Sequence, residues 1–109
     1  MALAPAATRL ITSIYEMAEK HAAAVKHEME LEDGRITLKM AAIDRIMKAG
    51  DNPMTGKPHS FSSAEALVNT DREYADYLAK QRDAVAERIM AKARYEAAIA
   101  ETRLRGSDE

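Results

Sequence analysis

One polar run, Asp51-Asn52-Pro53-Met54-Thr55-Gly56-Lys57-Pro58-His59-Ser60-Phe61-Ser62-Ser63, interrupts a chain that otherwise reads as helix almost from end to end. It holds Pro53, Gly56 and Pro58, whereas Arg72 to Arg105 contains neither Gly nor Pro. Pro removes a backbone donor and Gly weakens a helix, so their clustering marks where helix must stop. The uninterrupted stretch after it would make a rod of roughly 50 Å at about 1.5 Å per residue.

Composition decides what such rods can pack with. At 109 residues the chain has the size of one domain. Its hydrophobic content is 47%, but aromatics make up 5% and Trp is absent, so Ala, Leu, Ile and Met must do the packing. That palette suits thin helix-helix seams. The expected fold class is therefore all-α, an antiparallel helical hairpin plus a long C-terminal helix with coiled-coil-like packing in a single domain.

Within it, helix 8–32 begins after Pro5 with Thr8 as N-cap, and Leu10, Ile14, Met17, His21 and Val25 recur every three or four residues. Asp33-Gly34 reads as the hairpin turn. Helix 36–49 carries Ile36, Met40, Ile43 and Met47 and stops at Ala49-Gly50. A loop spans 50–62. The last helix, 63–105, is capped by Ser62 or Ser63 with Glu65 nearby. Asn69-Thr70-Asp71 offers a fresh N-cap, so a break at 69–71 competes with one bent helix. The stripe expected on it is Tyr74, Leu78, Val85, Ile89, Ala93 and Ile99 or Ala100, whose drifting spacing departs from a strict heptad. Residues 106–109 read as a flexible tail. The length of the last helix favours a homodimer over a monomer.

Sixteen basic against eighteen acidic residues give a formal net charge of -2, which excludes nucleic-acid binding through bulk charge. Zero Cys excludes disulfides, thiolate zinc sites and thiol chemistry. The apolar start Met1 to Ala7 is short, lacks an early positive charge and makes a poor signal peptide. No apolar run approaches the roughly 20 residues that cross a bilayer. A soluble, cytoplasmic protein is expected.

Thr55-Gly56-Lys57 resembles part of a phosphate-binding loop, yet the preceding Gly50 is out of register, Pro58 stands where Ser or Thr is required, and no strand precedes it. Three readings of the run remain, one of them a flexible segment that orders only on a partner. It is a turn stiffened by proline, or a recognition loop that presents Asn52, Thr55, Lys57, His59, Ser60 and Phe61 to a partner, with hydrogen-bonding groups beside a helix N-terminus that favours anions. His21 and His27 lie six apart on different helix faces, so they do not make the i,i+4 pair of a helical zinc site, and no metal is expected. Ser60 adjoins His59 but nothing orients the imidazole, and no catalytic residue or cofactor is expected. Arg82, Arg88, Lys92, Arg94 and Tyr95 form a candidate nucleic-acid face by charge and stacking, diluted by Asp83, Glu87 and Glu96.

The stretch from Gly50 to Ala64, continued by Asp71-Arg72-Glu73-Tyr74-Ala75-Asp76-Tyr77-Leu78, resembles a loop-and-helix pattern of small helical proteins encoded by tailed bacteriophages. That resemblance covers the second half of the chain and implies a non-enzymatic role in the cytoplasm of an infected bacterium. The function expected is binding to a host or phage protein, so as to modulate or inhibit it. The alternatives are an accessory of phage DNA recombination or replication contacting single strands, and a structural or scaffolding component.

Overall fold

The computed structural model describes residues 5–107, with side chains described through Arg105. Its elements are α1 (Pro5–Ala49), α2 (Phe61–Ala66), a 3-10 turn (Val68–Thr70) and α3 (Arg72–Ser107). The all-α expectation holds, and no strand occurs among the described residues; Asp51 and Pro58 make a single isolated bridge.

The hairpin at Asp33-Gly34 does not form. Both residues lie inside α1, so helices 8–32 and 36–49 are one element. A lone Gly costs a helix only about 1 kcal/mol relative to Ala, and a turn there would forfeit several ladder hydrogen bonds. Glu32 and Arg35 also pair across the glycine at 3.6 Å. Thr8 sits inside the first helical stretch rather than before it. The helix does stop where expected, at Ala49, with Gly50 beyond and Lys48 held by Asp44 at 2.8 Å in the last turn. Of the expected tail, 106 and 107 continue α3, whereas 108 and 109 lie outside the described residues, as do 1–4.

The chain divides into two compact units, one of Met1–Met29 with Asp83–Glu109, the other Glu30–Arg82. In the first, the covered residues of α1 include Leu10, Ile14, Met17, His21, Ala24 and Glu28, flanked by Ser13, Ala18 and Val25, and those of α3 include Ala84, Arg88, Ala91, Tyr95, Ala98 and Thr102, flanked by Val85 and Ile99. The central row of each alternates steps of four and three, the spacing of a coiled-coil seam. Ala24, Ala84 and Ala91 are its buried members. Glu28 accepts from Arg88, and His21 stacks on Tyr95 with ring centroids 6.3 Å apart. The apolar stripe expected on α3 thus gives way in part: Ile89 is 53% exposed and Ala93 is exposed, because the seam runs through Arg88, Ala91 and Tyr95 instead.

The second unit has a rounder core of Ala42, Ile43, Ala64, Val68, Tyr74 and Tyr77, with Leu31, Ile46 and Leu78 against it. Asp71 begins α3: its Oδ1 accepts from the Tyr74 amide at 3.0 Å. Its carboxylate also takes two hydrogen bonds from Arg45, at 2.7 and 2.8 Å. Of the two alternatives for 69–71, a break or one bent helix, the structure has the break, built from the 3-10 turn and this cap.

Candidate functional site

The run from Asp51 to Ser60 is a built turn. Asn52 is its organiser: its amide donates to the Lys57 carbonyl at 2.8 Å, its carbonyl accepts from Thr55 and Gly56, and its Oδ1 accepts from Met54 at 3.0 Å. An Asn side chain bonding the backbone two residues on is the Asx-turn, and Gly56 supplies the φ of +66° that the reversal needs. Thr55 Oγ1 accepts from the Lys57 amide at 3.3 Å. Asn52 and Thr55 therefore spend their polar groups on the turn itself.

His59 departs from the exposed position expected of it. It is 8% exposed, and its Nδ1 lies 3.0 Å from Ser63 Oγ. Ser60, rather than Ser62 or Ser63, caps α2, its Oγ accepting from the Ser63 amide at 3.2 Å and its carbonyl from Ser63 Oγ at 3.1 Å. The helix starts at Phe61 because the capping oxygen must lie three residues ahead of the amide it receives. What the turn leaves to solvent is Met54, 90% exposed, the Lys57 side chain, and Phe61, 48% exposed at the start of α2.

The expected nucleic-acid face does not assemble as one surface. Arg88 and Tyr95 belong to the seam, engaged by Glu28 and His21. Lys92 lies 3.9 Å from Glu96. Arg94 projects about 100° round the helix from Tyr95 and lines a shallow groove of about 400 Å³ with Lys20, Ala23, Glu87 and Met90. Arg82 is exposed and belongs to the other unit. Charge alternation along the sequence did not show that two of these groups face inward.

Two features of the Glu30–Arg82 unit escaped the sequence reading. The first is apolar exposure on α1: Ile36 is 75%, Met40 49% and Met47 42% exposed, all within an arc of about 40°. Ile43, sharing their sequence period, is buried, so periodicity alone had placed all four in the core. The second is a cleft of about 500 Å³ where α1 presents Leu31, Gly34 and Leu38 and α3 presents Glu73, Asp76, Tyr77 and Lys80. Tyr77 is 7% exposed, and its hydroxyl is buried with no hydrogen-bond partner. Burial pushes that phenol's pKa up, with Glu32 adding to the rise.

Asp71 is the most perturbed carboxylate, held down to about 2 chiefly by the Arg45 guanidinium and then by the Tyr74 amide. That is the electrostatics of a helix cap and an ion pair, not of a proton-transferring group. Among the described residues no three His, Asp or Glu side chains gather closely enough to hold a metal ion, and no helix is long and apolar enough to cross a membrane. Compared with protein-family models, with curated proteins and with solved structures, the chain matches none of them.

Proposed function

We propose that this chain is a non-enzymatic binding protein that docks on another protein through apolar side chains its own fold leaves uncovered. The observation that carries the reading is the flank of α1 bearing Ile36, Met40 and Met47. A chain that buries mainly alanines and two tyrosines gains little by exposing its larger aliphatic side chains to water, since each covered one is worth about 1.5–3 kcal/mol. Methionine is also suited to such a surface, because its unbranched thioether side chain adapts to irregular partners. The exposed Met54 on the 51–60 turn adds a further apolar contact.

The resemblance to small phage-encoded proteins makes a bacterial host factor the partner we favour, with modulation or inhibition as the outcome of docking. Contact with single-stranded nucleic acid has less support, because Arg88 and Lys92 stand beside Glu28 and Glu96. A second copy of the chain would cover the same apolar flank, which makes the homodimer the competing occupant.

Three measurements test the reading. The partner is captured from bacterial extract on immobilised protein, identified by mass spectrometry, purified and titrated against wild type and the double variant Ile36→Asp, Met40→Asp. Affinity should fall at least about a hundredfold, as for two lost anchors of about 1.5 kcal/mol each, with circular dichroism unchanged. Light scattering of the free protein should give a monomer mass. A dimer that the double variant dissociates would replace the heterologous partner by a second copy, and unchanged affinity would remove the flank from the account.

A further inference from the structure

The side of α3 turned away from the seam is apolar as well. Ile89, Met90, Ala93, Ala97, Ala100 and Leu104 fall within an arc of about 100°, centred nearly opposite the buried Ala84 and Ala91. All six are exposed, Ile89 by 53%, Met90 by 51% and Leu104 by 69%. No charged residue from Asp83 to Leu104 enters that arc. Its borders do carry charge, in a pattern the helix does not itself use. On one border Lys80, Glu87, Arg94 and Glu101 alternate in sign at intervals of seven. Seven residues span about 10.5 Å of helix, too far for neighbours to pair. The positions three and four away from Glu87 and Arg94 hold only Asp83, Met90 and alanines. Among the described residues neither side chain is held by an ion pair, although Lys20 shares a groove with both. On the other border Arg82 is exposed, and Glu96 lies 3.9 Å from Lys92.

Such borders are complementary to themselves in one arrangement. We propose that α3 pairs antiparallel with α3 of a second copy, centred between Ile89 and Met90, with the two apolar arcs face to face. Counted along the helices, this sets Glu87 of each copy within a turn of Arg94 of the other, Lys80 within a turn of Glu101, and Arg82 within a turn of Glu96. The two-fold axis repeats every one of these opposite-charge pairs. Sliding one helix a heptad either way puts Arg94 beside Arg94 or Glu87 beside Glu87, and a parallel pair in register puts Glu96 beside Glu101. Charge therefore selects both the occupant and its register. Alanines bring little apolar area to the contact, less than a standard interface buries, so the dissociation constant is on the order of 100 µM and dilute protein stays monomeric. The inference does not rest on the docking flank of α1, which lies on another helix and meets another partner.

The test is sedimentation equilibrium of the full chain from about 10 µM to about 1 mM, at low and at high salt. Wild type should dimerise at the upper end of that range, and salt should weaken the dimer because exposed charge pairs are screened. Glu87→Arg or Arg94→Glu alone turns the symmetric pairs into like charges and should raise the dissociation constant about tenfold or more. The two single variants mixed in equal amounts should form a heterodimer about as tight as the wild-type pair, since each then meets its opposite. Glu87→Arg with Arg94→Glu on one chain should restore self-association. Both side chains are exposed, so circular dichroism should stay unchanged throughout. Ile36→Asp with Met40→Asp should leave this dimer intact, which separates it from the α1 reading. A monomer at every concentration, single reversals that dimerise like wild type, a mixture no tighter than its components, or a dimer lost with Ile36→Asp and Met40→Asp overturns the proposal.

Discussion

The two units solve the same problem, covering apolar helix faces, in different ways. The Met1–Met29 with Asp83–Glu109 unit is a two-helix seam whose buried members are alanines and whose covered polar groups, Glu28 with Arg88 and His21 with Tyr95, pair across it. The Glu30–Arg82 unit adds α2 and the 3-10 turn as a third wall, and so encloses Ile43 to 2% exposure beside Tyr74 and Tyr77. Two helices alone cannot enclose a large side chain from all sides; a third element can. Stability should therefore be concentrated in the second unit, and amide hydrogen exchange should be slower there than in α1 before Met29. Equal protection in both halves would break the comparison.

The largest expected effect is on that enclosed core. Ile43→Ala should cost about 2–4 kcal/mol, read as a lower urea midpoint, because it removes buried methyl groups and leaves a cavity walled on three sides. Next, Ala91→Leu should cost about 1–3 kcal/mol, since a seam built on alanine has no room for three more carbons. If Ala91→Leu were neutral or stabilising, the two helix segments would be free to move apart, and the seam would not be the close approach its buried alanines imply.

Asp71→Ala should cost about 1–2 kcal/mol through loss of the helix cap, and Arg45 loses its main partner with it. The same carboxylate gives the second unit a pH signature. Its pKa is lowered in the folded state to about 2. The stability it supplies is complete above the ordinary aspartate value of about 3.9 and disappears as the pH falls from there through about 2. Acid titration of the urea midpoint should show that loss in wild type and much less of it in Asp71→Asn. The smallest effect has the opposite sign: Gly34→Ala should stabilise by about 0.5–1 kcal/mol. A destabilised Gly34→Ala would mean that the glycine serves packing, which would weaken the case for an open cleft.

Much of this fold was legible in residue types. The long gap between helix breakers after Arg72, the Ala49-Gly50 stop and the Asn69-Thr70-Asp71 start were read from chemistry that acts within a few residues, and each appears in the structure. The Asp33-Gly34 turn was misread because a turn signal and a tolerated mid-helix glycine look alike until the tertiary partners are known. The heptad seam was hidden for a related reason. Glu28, Arg88 and Thr102 occupy half-buried positions that an apolar periodicity skips, although it did place Leu10, Ile14, Met17 and His21 on one face.

The candidate sites were less legible still. Asn52, Thr55 and Ser60 were expected to meet a partner, but their polar groups close the turn and cap α2, and His59 is covered. The cleft is invisible to the sequence, since Gly34 and Tyr77 lie 43 positions apart and neither belongs to a motif.

From its order of residues alone, this protein is committed to helix, to the places where helix ends, and to a core of small and flexible side chains, because propensity, capping and turn chemistry are local. Which aliphatic side chains stay in water, which charges pair across a seam, and where a missing side chain opens a cleft were decided only when distant segments met. Burial and pairing are properties of two surfaces together, and neither surface carries them by itself.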